Sequence, residues 1–285
     1  MRHYILEEPY SQTAIWARRL AIFALVLGLI GLLLIRTNTV EMAAGMAVFG
    51  ASILFACVAL LMAAAAGVVI WRTGRKGILP IVTAILLSLL FLVYPGFLAA
   101  RAVQLPLIND ISTDVNDPPK FSQSAKAKAA RPGATHPEAL AGALQQQSAY
   151  SDIQPIVIDL EAEEVWELVQ DTVKELGWKI IEESPPRDAK PAQYSTVRER
   201  RGRRTVNVRK LAAPAQTAGE GRLEAVSRSL IMGFPDDVTI RIRALEAQTR
   251  IDVRSASRFG RHDFGANAAR IRRFAAELQG QLDAQ

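Results

Sequence analysis

Three long apolar stretches lie within the first hundred residues of the chain. Residues 20–35, 42–71 and 77–100 contain no charged side chain, which gives runs of 16, 30 and 24 residues. About 20 consecutive apolar residues span a bilayer, so the pattern predicts a membrane region at 1–104 with transmembrane helices at about 16–35, 42–71 and 77–100. Glu7 and Glu8 precede the first run, and no small-residue cleavage site follows it, which favours an uncleaved anchor over a signal peptide.

After the third run the apolar positions follow the periods of water-soluble helices and strands. Residues 105–149 are rich in turn formers, Ala and Gln, and we expect an arm and a surface linker there. Two segments have helical periodicity, at 162–176 and 265–282. Alternating or short apolar segments predict strands at 155–159, from 178, and at 194–200, 204–210, 222–229, 237–244 and 250–255. The order predicts an α+β two-layer sandwich at 150–285, with a mainly antiparallel sheet and two helices on one face.

The composition agrees with a membrane protein and limits its chemistry. Half of the residues are hydrophobic, and the mean hydropathy is +0.13. One cysteine, Cys57, excludes an internal disulfide framework. Three histidines and one cysteine are too few for the usual zinc sites, and we expect neither a metal nor a cofactor.

The basic residues near the apolar runs predict the orientation in the membrane. Arg2, Arg18 and Arg19 precede the first apolar run, and the second loop carries three more basic residues, whereas Arg36 and Arg101 stand on the opposite side. The positive-inside rule then predicts a cytoplasmic N-terminus and a periplasmic C-terminal domain in a bacterial inner (plasma) membrane.

Small residues recur every four positions in the second apolar run, at Ala43, Ala47 and Ala51 and again at Ala59, Ala63 and Gly67. Such a stripe lets helices approach closely. We expect it to pack against the other two helices, and a homo-oligomer formed through this helix is the alternative.

Several blocks of the soluble region resemble one family. They are GFPDDV at 233–238, SRFGRHDFGANAARIRRF at 257–274, INDISTDVNDPP at 108–119, and YSDI at 150–153 followed by a helix and Gly177-Trp178. Residues 105–280 resemble the family catalogued as domain of unknown function 1499. Members of this family occur in bacteria and in plastids, and several have N-terminal membrane spans. The resemblance implies no established activity. Residues 185–220 depart from the family pattern, being longer and more basic.

Two groups of polar residues are candidates for a site. Asp236 and Asp237 are adjacent carboxylates, but neighbours in a strand face opposite ways, so we expect Asp236 to cap a turn and Asp237 to pair with a cross-strand Arg such as Arg254. The second group precedes the last predicted helix, where an N-terminus with basic neighbours attracts anions, although Asp263 is also suited to cap that helix. The candidate ligand-binding set is Asp236, Asp237, Arg241, Arg254, Arg258, Arg261, Asp263, Asn267 and Arg270.

Charge is separated along the soluble region. Residues 138–186 carry 11 acidic and 2 basic side chains, and residues 187–274 carry 20 basic and 9 acidic ones. The two halves either attract each other or leave a basic surface for polyanions. That basic patch consists of Arg198, Arg200, Arg201, Arg203, Arg204, Arg209 and Lys210. Outside the cytoplasm we expect anionic lipid or an envelope polymer as its ligand, and no nucleic acid.

Three functional hypotheses follow. The first is a non-enzymatic envelope protein whose periplasmic domain binds a partner protein, a lipid or another, anionic ligand. The second is a hydrolase or other enzyme that uses Asp236, Asp237, His262 and Asp263. The third is a structural scaffold of an envelope complex. We find no recognisable nucleophile elbow or phosphate loop in the sequence, which favours the first hypothesis.

Overall fold

The computed structural model describes residues 9–134, 136–138, 140, 142–186, 194–201, 204–211 and 220–284, with the backbone alone at 194–201 and 204–211. The chain divides into two compact units. The first comprises Met1–Gln104 together with Ser229–Phe234, and the second comprises Leu105–Arg228 and Pro235–Gln285.

The first unit consists of three long helices, α1 (Gln12–Thr37), α2 (Met42–Thr73) and α3 (Ile78–Gln104). All three are long and apolar enough to cross a bilayer, which confirms the predicted membrane region. Each helix starts and ends within a few residues of its predicted bounds. Polar turn residues mark the ends, because Ser11 accepts a hydrogen bond from the Ala14 amide and Asn38 adopts a left-handed conformation after α1.

Small residues bring the three helices together. Ala59 and Ala63 of α2 are buried against Ala17 and Ala21 of α1 and against Ala84 of α3. Ala59 and Ala63 of the predicted small-residue stripe therefore pack within the chain, whereas Gly67 is half-buried and Ala43 and Ala47 are exposed. Homo-oligomerisation through α2 stays a prediction.

The second unit is built around a six-stranded antiparallel sheet. Its strands are β1 (Asp110–Ser112), β2 (Ile156–Ile158), β3 (Lys179–Ser184), β6 (Glu220–Arg228), β7 (Pro235–Ala244) and β8 (Thr249–Ser257). They are arranged in the order β1-β8-β7-β6-β3, and β2 also pairs with β8. A separate hairpin is formed by β4 (Tyr194–Arg201) and β5 (Arg204–Leu211).

Two amphipathic helices cover one face of this sheet. They are α6 (Ala162–Glu175) and α7 (Ala266–Asp283), close to their predicted bounds. Val165, Val169 and Phe274 meet Ile240 and Val253 in one apolar core. The α+β class and the placement of both helices are therefore as predicted, because the helical and strand periods left one apolar side on each element.

Residues 105–149, expected to be an arm and a linker, contribute to the sheet instead. Ile111 is fully buried in β1, which pairs with β8 from Asp110↔Ala256 to Ser112↔Arg254. Two short helices follow, α4 (Ala125–Ala130) and α5 (Ala143–Ala149). The Gln146 side chain of α5 accepts from the Ser112 amide and donates to the Ser112 carbonyl, which continues the ladder beyond β1. Turn-forming residues surround a strand too short to show a period, so the pattern did not reveal it.

Candidate functional site

The sheet face opposite α6 and α7 is polar and buried. Residues of β7 alternate strictly, so Val238, Ile240 and Ile242 enter the apolar core while Thr239 and Arg241 point to the other face. The sequence predicts solvent on that second face. Thr239 and Arg241 are nevertheless buried, because described residues of 113–140, here called the cover segment, lie over them.

Asp252 of β8 is the centre of the first cluster beneath the cover segment. It accepts hydrogen bonds from Arg241, Arg243 and Arg250, at 2.8–3.2 Å. Burial raises the pKa of Asp252, but the three arginine hydrogen bonds outweigh it and hold that pKa below its usual value. Asp114 and Asp117 of the cover segment form ion pairs with arginines of the same group. The cluster thus fastens the cover segment to the sheet.

Arg254, the next outward position on β8, is fully buried. Its guanidinium forms a bidentate pair with Asp110 at 3.0 and 2.6 Å. It also donates to the carbonyls of Pro119 and Pro137 and lies 5.2 Å from the centre of the Phe121 ring. Arg254 therefore pairs with Asp110 on the neighbouring strand, and the expected partner Asp237 binds elsewhere.

Glu224 and Arg131 form a further buried pair, at 3.1 Å. Glu224 also accepts a hydrogen bond from the Ser122 amide, and Arg131 donates to the Ser122 carbonyl at 2.6 Å. Burial raises the pKa of Glu224 in spite of these contacts. The pair attaches the cover segment to β6, two strands away from Arg254.

Asp236 and Asp237 point to opposite faces and have separate partners. Asp237 forms a two-pronged pair with Arg258, closest at 2.7 Å, and a 2.8 Å hydrogen bond with Nε2 of His136 from the cover segment. Asp236 lies on the helix side, where it is paired with Arg270. Burial raises the pKa of Asp236 even with this arginine beside it. The two carboxylates do not share a site.

Asn267 and Asp263 complete the contacts at the start of α7. Arg270 donates to Ser255 Oγ at 2.8 Å and to Asn267 Oδ1 at 2.6 Å. Asp263 accepts from the amides of Gly265 and Asn267, each at 2.9 Å. The carboxylate of Asp263 thus occupies the amide donors that an external anion would use, while Gly265 holds the N-cap position just before the helix begins at Ala266.

A cleft of about 440 Å³ lies beside the Asp237–His136 pair. Asn109, Asp110, Ser257 and Arg261 are among the polar residues that line it. The remaining lining residues are Leu107, Ile108, His136, Pro137, Gly142, Gln145 and Ala256. Arg258 and Arg254 neutralise the nearby carboxylates Asp237 and Asp110. The guanidinium of Arg261 is exposed and has no hydrogen-bond or ion-pair partner among the described residues.

The structure thus distributes the predicted site residues over several environments. Arg241 and Arg254 belong to the layer under the cover segment, and Arg270, Asn267 and Asp263 belong to the helix side. His262 accepts from the Phe264 amide and stacks on that ring at 4.6 Å. The predicted basic patch follows β4 and β5, where only the backbone is described, and Arg203 is outside the described residues.

Sequence reasoning missed His136, Arg131 and Asp110. They lie in a part of the sequence that has no clear hydrophobic period. Only the alternation of charged residues on β7 and β8 hinted that buried charges would need partners. Within the described ranges, no group of three or more His, Cys, Asp or Glu side chains is arranged to hold a metal ion.

Comparison with known proteins yields a single family. Residues 110–278 match the family model described as "Protein of unknown function (DUF1499)". No curated protein and no solved structure gives a significant match. The matched residues begin at β1 and end in α7, so they include the sheet, the cover segment and all of the cleft lining except Leu107, Ile108 and Asn109. The chain therefore belongs to the DUF1499 family of proteins of unknown function.

Proposed function

We propose that this chain is a multi-pass protein of a bacterial plasma membrane whose periplasmic domain binds a small ligand with an anionic group. The three apolar helices support the membrane anchor. Six basic residues near one set of helix ends, against Arg36 and Arg101 at the other, support a cytoplasmic N-terminus and a periplasmic second unit.

The cleft beside His136 carries the binding proposal. It is concave, it has both apolar and polar walls, and its volume suits a small organic molecule. Its carboxylates are already neutralised by arginines, so the exposed Arg261 leaves a local positive charge. A guanidinium is a good partner for a carboxylate or phosphate group because its donors match both oxygens of the anion. Arg258 and Arg270 have internal carboxylate partners and act as supports.

The experiment is native mass spectrometry of the full-length protein, purified in a mild detergent from its native membrane. We expect the wild type to carry a reproducible extra mass, which Arg261→Ala loses. Arg273→Ala is the matched control, since Arg273 is also exposed but lies on α7 away from the cleft. Retention of the mass by Arg261→Ala would contradict binding in the cleft. A wild type without any extra mass would favour the scaffold hypothesis, in which a protein partner binds this domain.

A second candidate function is catalysis. The four residues that the sequence suggested for catalysis, Asp236, Asp237, His262 and Asp263, do not converge on one point. His136 and Asp237, however, form a hydrogen-bonded pair at the cleft. A histidine oriented by a carboxylate is the usual arrangement of a general base. A hydrolytic activity abolished by His136→Gln, with the bound mass retained, would establish this alternative over pure binding.

A further inference from the structure

The turn between β6 and β7 has an unusual composition. Residues 229–234 read SLIMGF, whereas tight turns at the surface favour Gly, Asn, Asp, Ser and Pro because these residues adopt turn geometry at low cost. Leu230 is 87% exposed and Ile231 is 42% exposed. Two adjacent branched aliphatic side chains thus stand at the tip of this turn.

The turn is held in one shape by its own hydrogen bonds. The Ser229 amide donates to the Phe234 carbonyl at 2.9 Å, the Gly233 amide donates to the Ser229 carbonyl at 3.0 Å, and the Phe234 amide donates to Ser229 Oγ at 2.9 Å. Gly233 has a φ of +71°, which a residue with a side chain rarely adopts. The apolar tip is therefore presented by a folded turn.

The same turn belongs to the compact unit that contains the membrane helices. Met232 is buried with Ile35 of α1 and Phe49 of α2, and Phe234 packs against this cluster. Arg36 Nη1 donates to the carbonyls of Leu230 and Ile231 at 2.5 and 3.2 Å. The turn thus contacts α1 one to two residues before its end at Thr37, within about 3 Å of the helix end along the axis.

We propose that Leu230 and Ile231 insert into the lipid bilayer at the end of α1, as an interfacial anchor additional to the three helices. The position of Arg36 at the end of an apolar helix is that of a side chain which reaches toward lipid headgroups. An apolar tip at this level meets the headgroup and acyl boundary, where interfacial apolar side chains reach depths of about 5–10 Å. Water would otherwise surround both side chains.

The test uses spin labels on the full-length protein in vesicles of phosphatidylcholine and phosphatidylglycerol. Single-cysteine variants Leu230→Cys, Leu33→Cys and Leu245→Cys are made with Cys57→Ser. Leu33 is an exposed position of α1 and marks the lipid phase, and Leu245 is an exposed leucine of the β7–β8 turn and marks water. Electron paramagnetic resonance then measures collisions of each label with oxygen, which concentrates in lipid, and with a water-soluble nickel complex.

We expect the ratio of oxygen to nickel collisions at 230 to lie close to that at 33 and well above that at 245. A ratio at 230 equal to that at 245 would overturn the proposal. Low collision rates with both reagents at 230 would also overturn it, because they would mean that another protein covers the turn; spin–spin broadening would then identify a second copy of the chain. All three substituted leucines are exposed, so the variants retain the packed core.

Discussion

Arg254 joins four points of the second unit through one side chain. Its donors hold Asp110 and the carbonyls of Pro119 and Pro137, and its plane faces the Phe121 ring. A guanidinium suits this position because it offers five donors in a rigid plane, whereas an ammonium group offers three at a single point. The residue therefore has a structural role, although the sequence made it a candidate for ligand binding.

Arg254→Lys should destabilise the second unit by about 2–3 kcal/mol, because a lysine at this fully buried position keeps the charge but loses the two-pronged pair with Asp110 and the donors to Pro119 and Pro137. Arg222→Lys is the control, since Arg222 pairs with Glu220 at a partly exposed position, and its cost should stay below about 1 kcal/mol. Guanidinium unfolding of both variants in detergent, followed by circular dichroism, measures the difference. Equal midpoints for the two variants would contradict the role of Arg254.

Asp252 should make stability depend on pH on the acid side. Its pKa in the folded protein is below the usual aspartate value of about 3.8, so folding favours the ionised form. The stabilisation is full above about pH 4 and is lost as the pH falls through the folded pKa. Asp236 has a raised pKa, so its contribution has the opposite sign: it is full below the unfolded pKa and is lost as the pH rises through the folded one.

We expect Asp252→Asn to lower the free energy of unfolding by about 3–5 kcal/mol at neutral pH, since three arginines lose their common carboxylate. The difference from the wild type should shrink as the pH falls below about 4. Asp171→Asn, at an exposed position of α6, is the control and should behave like the wild type. Denaturation midpoints between pH 3 and 7 give the comparison, and a difference that is constant with pH would disprove the linkage.

At the scale of elements, glycine allows α1 to approach its neighbours. A Cβ atom at Gly28 would overlap the Phe91 ring of α3, and one at Gly31 would lie 3.0 Å from the Phe49 backbone nitrogen of α2. A Cβ atom at Gly50 of α2 would meet only open space. The two kinds of glycine look alike in the sequence but differ in their surroundings.

Gly28→Ala should therefore loosen the helix bundle, with a cost of about 1–3 kcal/mol from overpacking. Gly50→Ala should be neutral or slightly stabilising, because alanine favours a helix over glycine by about 1 kcal/mol. The midpoints of thermal unfolding in one detergent rank the two variants against the wild type. A Gly28→Ala protein as stable as Gly50→Ala would contradict the close approach of α1 and α3.

The sequence predicted well those elements whose hydrophobic pattern extends over many residues. The membrane helices are long uncharged apolar runs. Elements α6, α7 and β7 each repeat their apolar positions over ten residues or more, and burial on one side follows from that repeat. Strand β1 has three residues, and the cover segment has no period, so neither could be predicted. Arg241 and Asp252 are buried because the cover segment lies over them, so their burial was missed as well. The cleft was missed for the same reason, because its lining includes His136 and Pro137 of the cover segment.

At the scale of the whole molecule, the proposed topology predicts the activity of reporter fusions. Alkaline phosphatase fused after Asp110 should be active in a bacterial host, because it folds only after export. The same enzyme fused after Arg75, in the loop between α2 and α3, should be inactive and serves as the control. Green fluorescent protein that is fluorescent when fused after Asp110, and not fluorescent when fused after Arg75, would show the opposite orientation.

The pairing of β1 with β8 also has a consequence for biosynthesis. Asp110 pairs with Ala256, so the sheet of the second unit is completed only when nearly the entire chain has left the ribosome. Contacts between residues this distant in sequence slow folding, because a long loop must close before they form. Under the proposed topology, the exported part of the chain would wait unfinished at the membrane until β8 has been made. During that interval the unpaired edge of β1 would be a substrate for a folding helper in the envelope.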